Sequence, residues 1–120
     1  MLIDGANGAI SSQKKRFKTN IIYVPGVFEI PYAISKNLKK YDAFIALGCV
    51  IKGETPHFDF ISKSSIDAIM KLSIENKKPI GNGILTCLNK DQAVERADKS
   101  NKNKGKEAAD AAIELLIGDK

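Results

Sequence analysis

Phe44-Ile45-Ala46-Leu47-Gly48-Cys49-Val50-Ile51-Lys52-Gly53-Glu54-Thr55-Pro56-His57-Phe58-Asp59-Phe60 is the stretch whose reading decides the fold. From Phe44 to Ile51 it is apolar almost without a break, the pattern of a parallel strand buried on both faces. The run then gives way to a polar, glycine-bearing loop, Lys52 to Pro56, and reaches His57, the only histidine in the chain. A helical pattern follows from Asp59 to Asn76, with Phe60, Ile61, Ile66, Ile69, Met70 and Leu72 on the side expected to face a sheet. Strand, loop and helix N-terminus in that order make the setting in which α/β proteins hold anionic ligands.

Working outward, Thr19 to Val24 is β-branched and aromatic and is closed by Pro25-Gly26, which predicts a strand and a turn. Phe28, Ile30, Ala33, Ile34 and Leu38 then recur at helical spacing from Phe28 to Lys40, and Pro31 fits only in the first turn. The strand containing Phe44–Ile51 is expected from Asp42. Beyond the long helix, Pro79 to Cys87 reads as a further strand, glycine-rich at its start. Asp91–Ala97 reads as a short helix and Lys104–Ile117 as an alanine-rich one, entered through an Asn103-Lys104-Gly105 turn. Residues 1–18 carry a helical pattern in Leu2, Ile3, Ala6, Ala9 and Ile10, weakened by Gly5 and Gly8. Alternation of helix and strand predicts a parallel sheet with right-handed crossovers and helices on both faces. Three strands make a thin sheet of this kind. Such domains normally open on a strand, so the chain reads as clipped at its N-terminus.

At 120 residues the sequence reads as a single domain, residues 1–120, large enough for a core. An apolar content of 43% argues against disorder. No apolar run approaches the ~20 residues that cross a bilayer, and no signal peptide is visible, which points to the cytoplasm. Cys49 and Cys87 sit in apolar strand patterns without CxxC spacing or a second histidine. They read as buried free thiols and not as a metal or disulfide pair. The net charge of +5 is spread along the chain, and its densest group, Lys99, Lys102, Lys104 and Lys106, is interleaved with Asn and Ser. Without aromatics between the cations, this pattern does not suggest nucleic-acid binding.

Three groups could carry chemistry. An imidazole at His57 can move protons near neutral pH, and Thr55 with the adjacent backbone amides can hold a phosphate. The plain alternative is a surface histidine at a helix start. Arg96 is one of two arginines, the other being Arg16, in a lysine-rich chain. Its guanidinium can fork onto phosphate, or else pair with Glu95 or Asp98. Phe28 and Glu29 could offer a ring and a carboxylate to a polar ligand, or serve as a core aromatic and a helix-terminal acid.

Val24-Pro25-Gly26-Val27-Phe28-Glu29-Ile30-Pro31 and Ala46-Leu47-Gly48-Cys49-Val50-Ile51-Lys52-Gly53-Glu54-Thr55-Pro56-His57-Phe58-Asp59 resemble the 6,7-dimethyl-8-ribityllumazine synthase family. So do Pro79-Ile80-Gly81-Asn82-Gly83-Ile84-Leu85-Thr86, Gln92-Ala93-Val94-Glu95-Arg96-Ala97 and Asn103-Lys104-Gly105, all in the expected order. The resemblance implies a flavodoxin-like, three-layer α/β/α fold and the penultimate step of riboflavin synthesis. In that step 5-amino-6-(D-ribitylamino)uracil condenses with 3,4-dihydroxy-2-butanone 4-phosphate, without a metal or redox cofactor. It implies a pentamer or a shell of pentamers with sites between subunits, and riboflavin synthase as a candidate partner. By position, His57 would transfer protons. The loop Lys52, Gly53, Glu54 and Thr55 would surround the phosphate-bearing substrate, and Arg96 would pair with its phosphate. Val27, Phe28 and Glu29 would hold the ribityl chain, with Val50 and Ile51 against the pyrimidine ring. Asn82 stands where some members place an aromatic that reaches a neighbour's site, and Asp98 and Ser100 depart from the commoner residues. The family's first strand and the aromatic loop after it have no counterpart here. That strand would lie between the strands at residues 19–24 and 42–51. Other readings are a non-catalytic, shell-forming or flavin-binding member of the fold, and a generic phosphate-binding domain.

Overall fold

The computed structural model describes residues 1–98 and 100–118, so Lys99 of the lysine group lies outside the described residues. At its centre β1 (Phe44–Ile51) and β2 (Ile80–Cys87) pair in parallel, from Phe44 opposite Ile80 to Ile51 opposite Cys87. The ladder extends one rung past each end. The Phe44 N–H donates to the Pro79 carbonyl at 2.9 Å and the Lys52 N–H to the Cys87 carbonyl at 2.9 Å. Even-numbered residues of β1 therefore turn their backbone groups toward β2, and odd-numbered residues turn theirs away.

Side chains alternate between two covered faces. On one, Ala46 and Ile84 pack with Ile30 and Ile34 of α2 (Ile30–Lys36) and Ile69 of α3 (His57–Asn76). On the other, Ile45 and Leu47 meet Ala6 and Ala9 of α1 (Leu2–Ser11) and Ala109 of α5 (Lys104–Gly118). A smaller cluster joins Leu85 and Cys87 to Ala97 of α4 (Lys90–Ala97). Helices thus cover both faces of a parallel sheet, as the alternation of patterns predicts. The alanine-lined face is a close one. A Cβ on Gly81 would run into the backbone carbonyl of Ala108, and one on Gly105 into the backbone of Leu2. These two glycines let α5 lie against β2 and α1 with backbone nearly touching backbone.

Local chemistry sets the helix ends. Asn89 caps α4, its side chain accepting from the Gln92 N–H at 2.9 Å, while the Gln92 side chain accepts from the Leu88 N–H at 2.8 Å. This is the reciprocal logic of a capping box. Asn103 Oδ1 accepts from the Lys106 N–H at 3.3 Å at the start of α5. The Asn103 backbone is left-handed, at φ 47°, a conformation asparagine tolerates. Lys77 closes α3 in the same region, at φ 51°, without a glycine's freedom.

Several expectations are corrected. The described residues form two strands and not three, because Thr19–Val24 pairs with nothing. Ile21, Ile22 and Tyr23 are exposed, Tyr23 to 78%. A groove of about 640 Å3 separates this segment from β1, with Ile21, Ile22 and Val24 on one bank and Ile45 and Leu47 on the other. Ladder hydrogen bonds need backbones roughly 4.8 Å apart, so a strand-forming sequence across a groove stays unpaired. Cys87 is fully buried as expected, but Cys49 is exposed, because its strand edge opens onto that groove. The first helix stops at Ser11, not near residue 18. The helix expected over Phe28–Lys40 is a 3-10 turn, Val27–Glu29, followed by the seven-residue α2. The Asn37 side chain donates to the Ala33 carbonyl at 2.7 Å, and the chain then turns away. β1 starts at Phe44, two residues later than expected, and α3 at His57, two residues earlier.

Candidate functional site

The carboxyl end of β1 carries the first group. Gly48 has no side chain because Val27 lies there; a Cβ at Gly48 would stand 2.7 Å from Val27 Cγ2. The 3-10 turn Val27–Glu29 is thereby seated on β1. It is also tied to α3, where the buried Ser65 hydroxyl donates to the Val27 carbonyl at 3.5 Å. Phe28 is not a core aromatic: its ring is 59% exposed. Glu29 is half-buried beside it. Val50 packs at the edge of the core, while Ile51 is exposed.

Lys52, Gly53, Glu54, Thr55 and His57 all lie on the surface, and His57 is the first residue of α3. The His57 N–H makes a long bond, 3.4 Å, to Thr55 Oγ1. The positive end of a 20-residue helix dipole makes this corner favourable to an anion. A free imidazole and an open loop stand there side by side.

The second group lies on the outer edge of β2. The Arg96 guanidinium, in the last turn of α4, donates through Nη1 to the Thr86 carbonyl at 3.1 Å and lies 3.6 Å from Cys87 Sγ. This bond replaces the pairing with Glu95 or Asp98 that the sequence left open. Asn82 Oδ1 accepts from the Ile84 N–H at 3.0 Å. Both side chains occupy backbone groups that the free edge of β2 would otherwise leave to solvent. Around them is a cavity of about 440 Å3, lined also by Lys102, Lys104 and Glu107. Lys104 pairs with Glu107 at 2.9 Å, which leaves Arg96 and Lys102 as excess positive charge for an anion.

Lys102 and Lys104 went unread as site residues in the sequence. They follow Arg96 by six and eight positions without helical or strand periodicity. Only the turn before α5, folded against the edge of β2, brings them to the arginine. Behind the same wall, burial pushes the Cys49 thiol above its usual range, Cys87 adds to the shift and Arg96 opposes it. The exposure of Cys49 is to the groove, whose walls still withhold water from the sulfur.

The first group's residues are not among those lining the cavity around Arg96. The turn Val27–Glu29, Val50, Ile51, the loop and His57 gather at the carboxyl end of β1. Asn82 and Arg96 lie on the outer edge of β2.

With this geometry the sequence matches the 6,7-dimethyl-8-ribityllumazine synthase family model over residues 1–117. The chain belongs to that family. A 6,7-dimethyl-8-ribityllumazine synthase of Bartonella tribocorum is 48% identical over 113 residues, which are 91% of this chain and 75% of the relative. The proteins of the same name from Sphingopyxis alaskensis and Zymomonas mobilis are 45% and 47% identical, over 97% of this chain and 82% and 83% of theirs. Membership makes the chain a transferase of riboflavin biosynthesis by family. Among the described residues no helix is long and apolar enough to cross a membrane.

Proposed function

We propose that this chain condenses 5-amino-6-(D-ribitylamino)uracil with 3,4-dihydroxy-2-butanone 4-phosphate to give 6,7-dimethyl-8-ribityllumazine. The observation that carries the reading is the family match over residues 1–117, with the Gly53-Glu54-Thr55-Pro56-His57 loop at the carboxyl end of β1. In the reaction the uracil's 5-amino nitrogen attacks the butanone carbonyl, and loss of water leaves an imine. Phosphate departs from the four-carbon unit, and closure of the second ring with loss of another water completes the lumazine. An aryl amine and a ketone need little beyond correct placement and a proton carrier, so orientation of the two substrates is the main device.

In this reading His57 carries protons between the condensing atoms. Gly53, Glu54 and Thr55, with Lys52 in the same loop, surround the phosphate-bearing substrate at the start of α3. Arg96 pairs with the phosphate, and Lys102 and Lys104 add positive potential around it. Val27, the exposed Phe28 and Glu29 receive the ribityl chain, while Val50 and Ile51 flank the pyrimidine. This chemistry calls for no metal or redox cofactor.

That the Arg96 cavity is lined by none of the residues of the His57 corner supports a site shared between chains: the His57 corner of one copy facing the Arg96 and Asn82 edge of the next. Two different surfaces meeting head-to-tail generate a closed ring when the rotation allows, which agrees with a homopentamer or a shell built from pentamers. Such an enzyme would work in the cytoplasm and could hand its product to riboflavin synthase. Mixing the protein with both substrates and following lumazine absorbance and fluorescence tests the activity. Steady formation supports the reading, and a folded, assembled protein that forms no lumazine contradicts it.

A further inference from the structure

Cys49 and Cys87 have no metal-ligand spacing in the sequence, but the sheet brings them together. Cys49 lies opposite Leu85 and Cys87 opposite Ile51. The two cysteines are therefore diagonal neighbours on adjacent strands, with side chains on the same face of the sheet. Hydrogen bonding and charge from Cys87 both act on the Cys49 thiol. Cys49 is exposed on the groove beside β1, and Leu2 and Ala97, which pack around the wholly buried Cys87, line the same groove. The way in to the buried thiol passes the exposed one. Arg96 Nη1 lies 3.6 Å from Cys87 Sγ and is held there by its bond to the Thr86 carbonyl at 3.1 Å. A donor fixed on a sulfur in this way is how outer residues orient a metal's thiolate ligand.

What such a pair can hold follows from distance and charge. Diagonal neighbours across two strands stand roughly 7–8 Å apart, beyond the ~7 Å that a disulfide bridges without moving the backbone. Two metal–sulfur bonds of about 2.3 Å each reach across more of that gap. Among the described residues no group of three or more histidine, cysteine or carboxylate side chains could hold a metal, so the four ligands of a structural zinc site are not at hand. Soft thiolates select copper(I), a closed-shell ion that accepts two ligands in line. Two thiolates and a monovalent ion together carry a single negative charge, and the Arg96 guanidinium beside Cys87 offsets it. We propose that Cys49 and Cys87 form a two-coordinate site for a soft monovalent cation, copper(I), entered from the groove and steadied by Arg96. Each thiol yields its proton to water as its metal–sulfur bond forms, and the copper keeps its oxidation state. The proposal stands apart from the catalytic reading, because its test reads bound copper and not lumazine.

Copper(I) held by the coloured chelator bicinchoninate is titrated anaerobically with the full chain, and the loss of colour counts the copper withdrawn. One copper per chain is expected, with two sulfur neighbours and no lighter ligand in X-ray absorption. Cys49→Ser alters an exposed residue and should keep the native circular dichroism, yet bind copper at least about 100-fold more weakly. Arg96→Gln keeps both sulfurs but loses the charge beside them, and it should weaken binding about tenfold with the stoichiometry unchanged. Excess zinc(II) should not displace the copper. Undiminished withdrawal by the Cys49→Ser chain would put the copper elsewhere and overturn the proposal. So would a nitrogen or oxygen neighbour, or displacement by zinc(II). Half a copper per chain, with copper-dependent dimers in sedimentation, would mean a Cys49 bridge between two copies and would overturn it as well.

Discussion

His57 and Arg96 divide the proposed chemistry between a proton and a phosphate, and their substitutions should separate the two. His57→Ala should lower kcat by about 10²-fold, the low end for a positioned proton carrier, because orientation of the substrates survives. Arg96→Lys keeps the charge but loses the planar fork, so KM for the butanone phosphate should rise about tenfold with a smaller change in kcat. Both are read in steady-state kinetics of lumazine formation. Cys49 offers a pH test. Its thiol is held above the usual range in the fold, so alkylation by iodoacetamide should follow a profile displaced to higher pH than in the urea-unfolded chain, while buried Cys87 stays unlabelled. The sign for stability follows. The folded state keeps its proton longer, so this contribution is present below the unfolded thiol's titration and is lost as pH rises through the folded one. At this scale the His57 corner was legible because its residues are contiguous with a strand pattern. Of the Arg96 cavity only Arg96 and Asn82 were legible. Lys102 and Lys104 join it through a turn whose direction no local pattern encodes.

At the scale of elements, close backbone contact does what bulky side chains do elsewhere. Gly81→Ala drives a methyl into the Ala108 carbonyl and should cost about 1–3 kcal/mol in urea unfolding, with any retained fold showing α5 displaced. Lys77→Gly relieves a left-handed residue at the end of α3 and should add about 1 kcal/mol in the same measurement. The helices and the β1–β2 pair could be read from periodicity and caps, since Asn89 with Gln92 and Asn103 ahead of Gly105 are local signals. Thr19–Val24 shows the limit of that reading. Its β-branched composition predicts a strand, but a strand exists only with a partner at ladder distance. Sequence pattern specifies the residue's preference and not the neighbour's presence.

At the scale of the molecule, one chain holds two incomplete surfaces. Among the described residues, the cavity around Arg96 is not lined by His57. In the proposed head-to-tail ring each surface would be completed by the other, and activity would depend on assembly. Sedimentation should therefore find the activity in the assembled fraction and none in the monomer. The central claim, lumazine formation at a site shared between two copies, is tested most directly by mixing. His57→Ala and Arg96→Ala chains, each nearly inactive alone, are unfolded together, refolded at equal ratio and assayed for lumazine. Random assembly leaves about a quarter of the interfaces with both intact residues, so about a quarter of the native activity should return. If the native protein is active and the mixed assembly stays at the level of the separate variants, the site lies within one chain and the account is wrong.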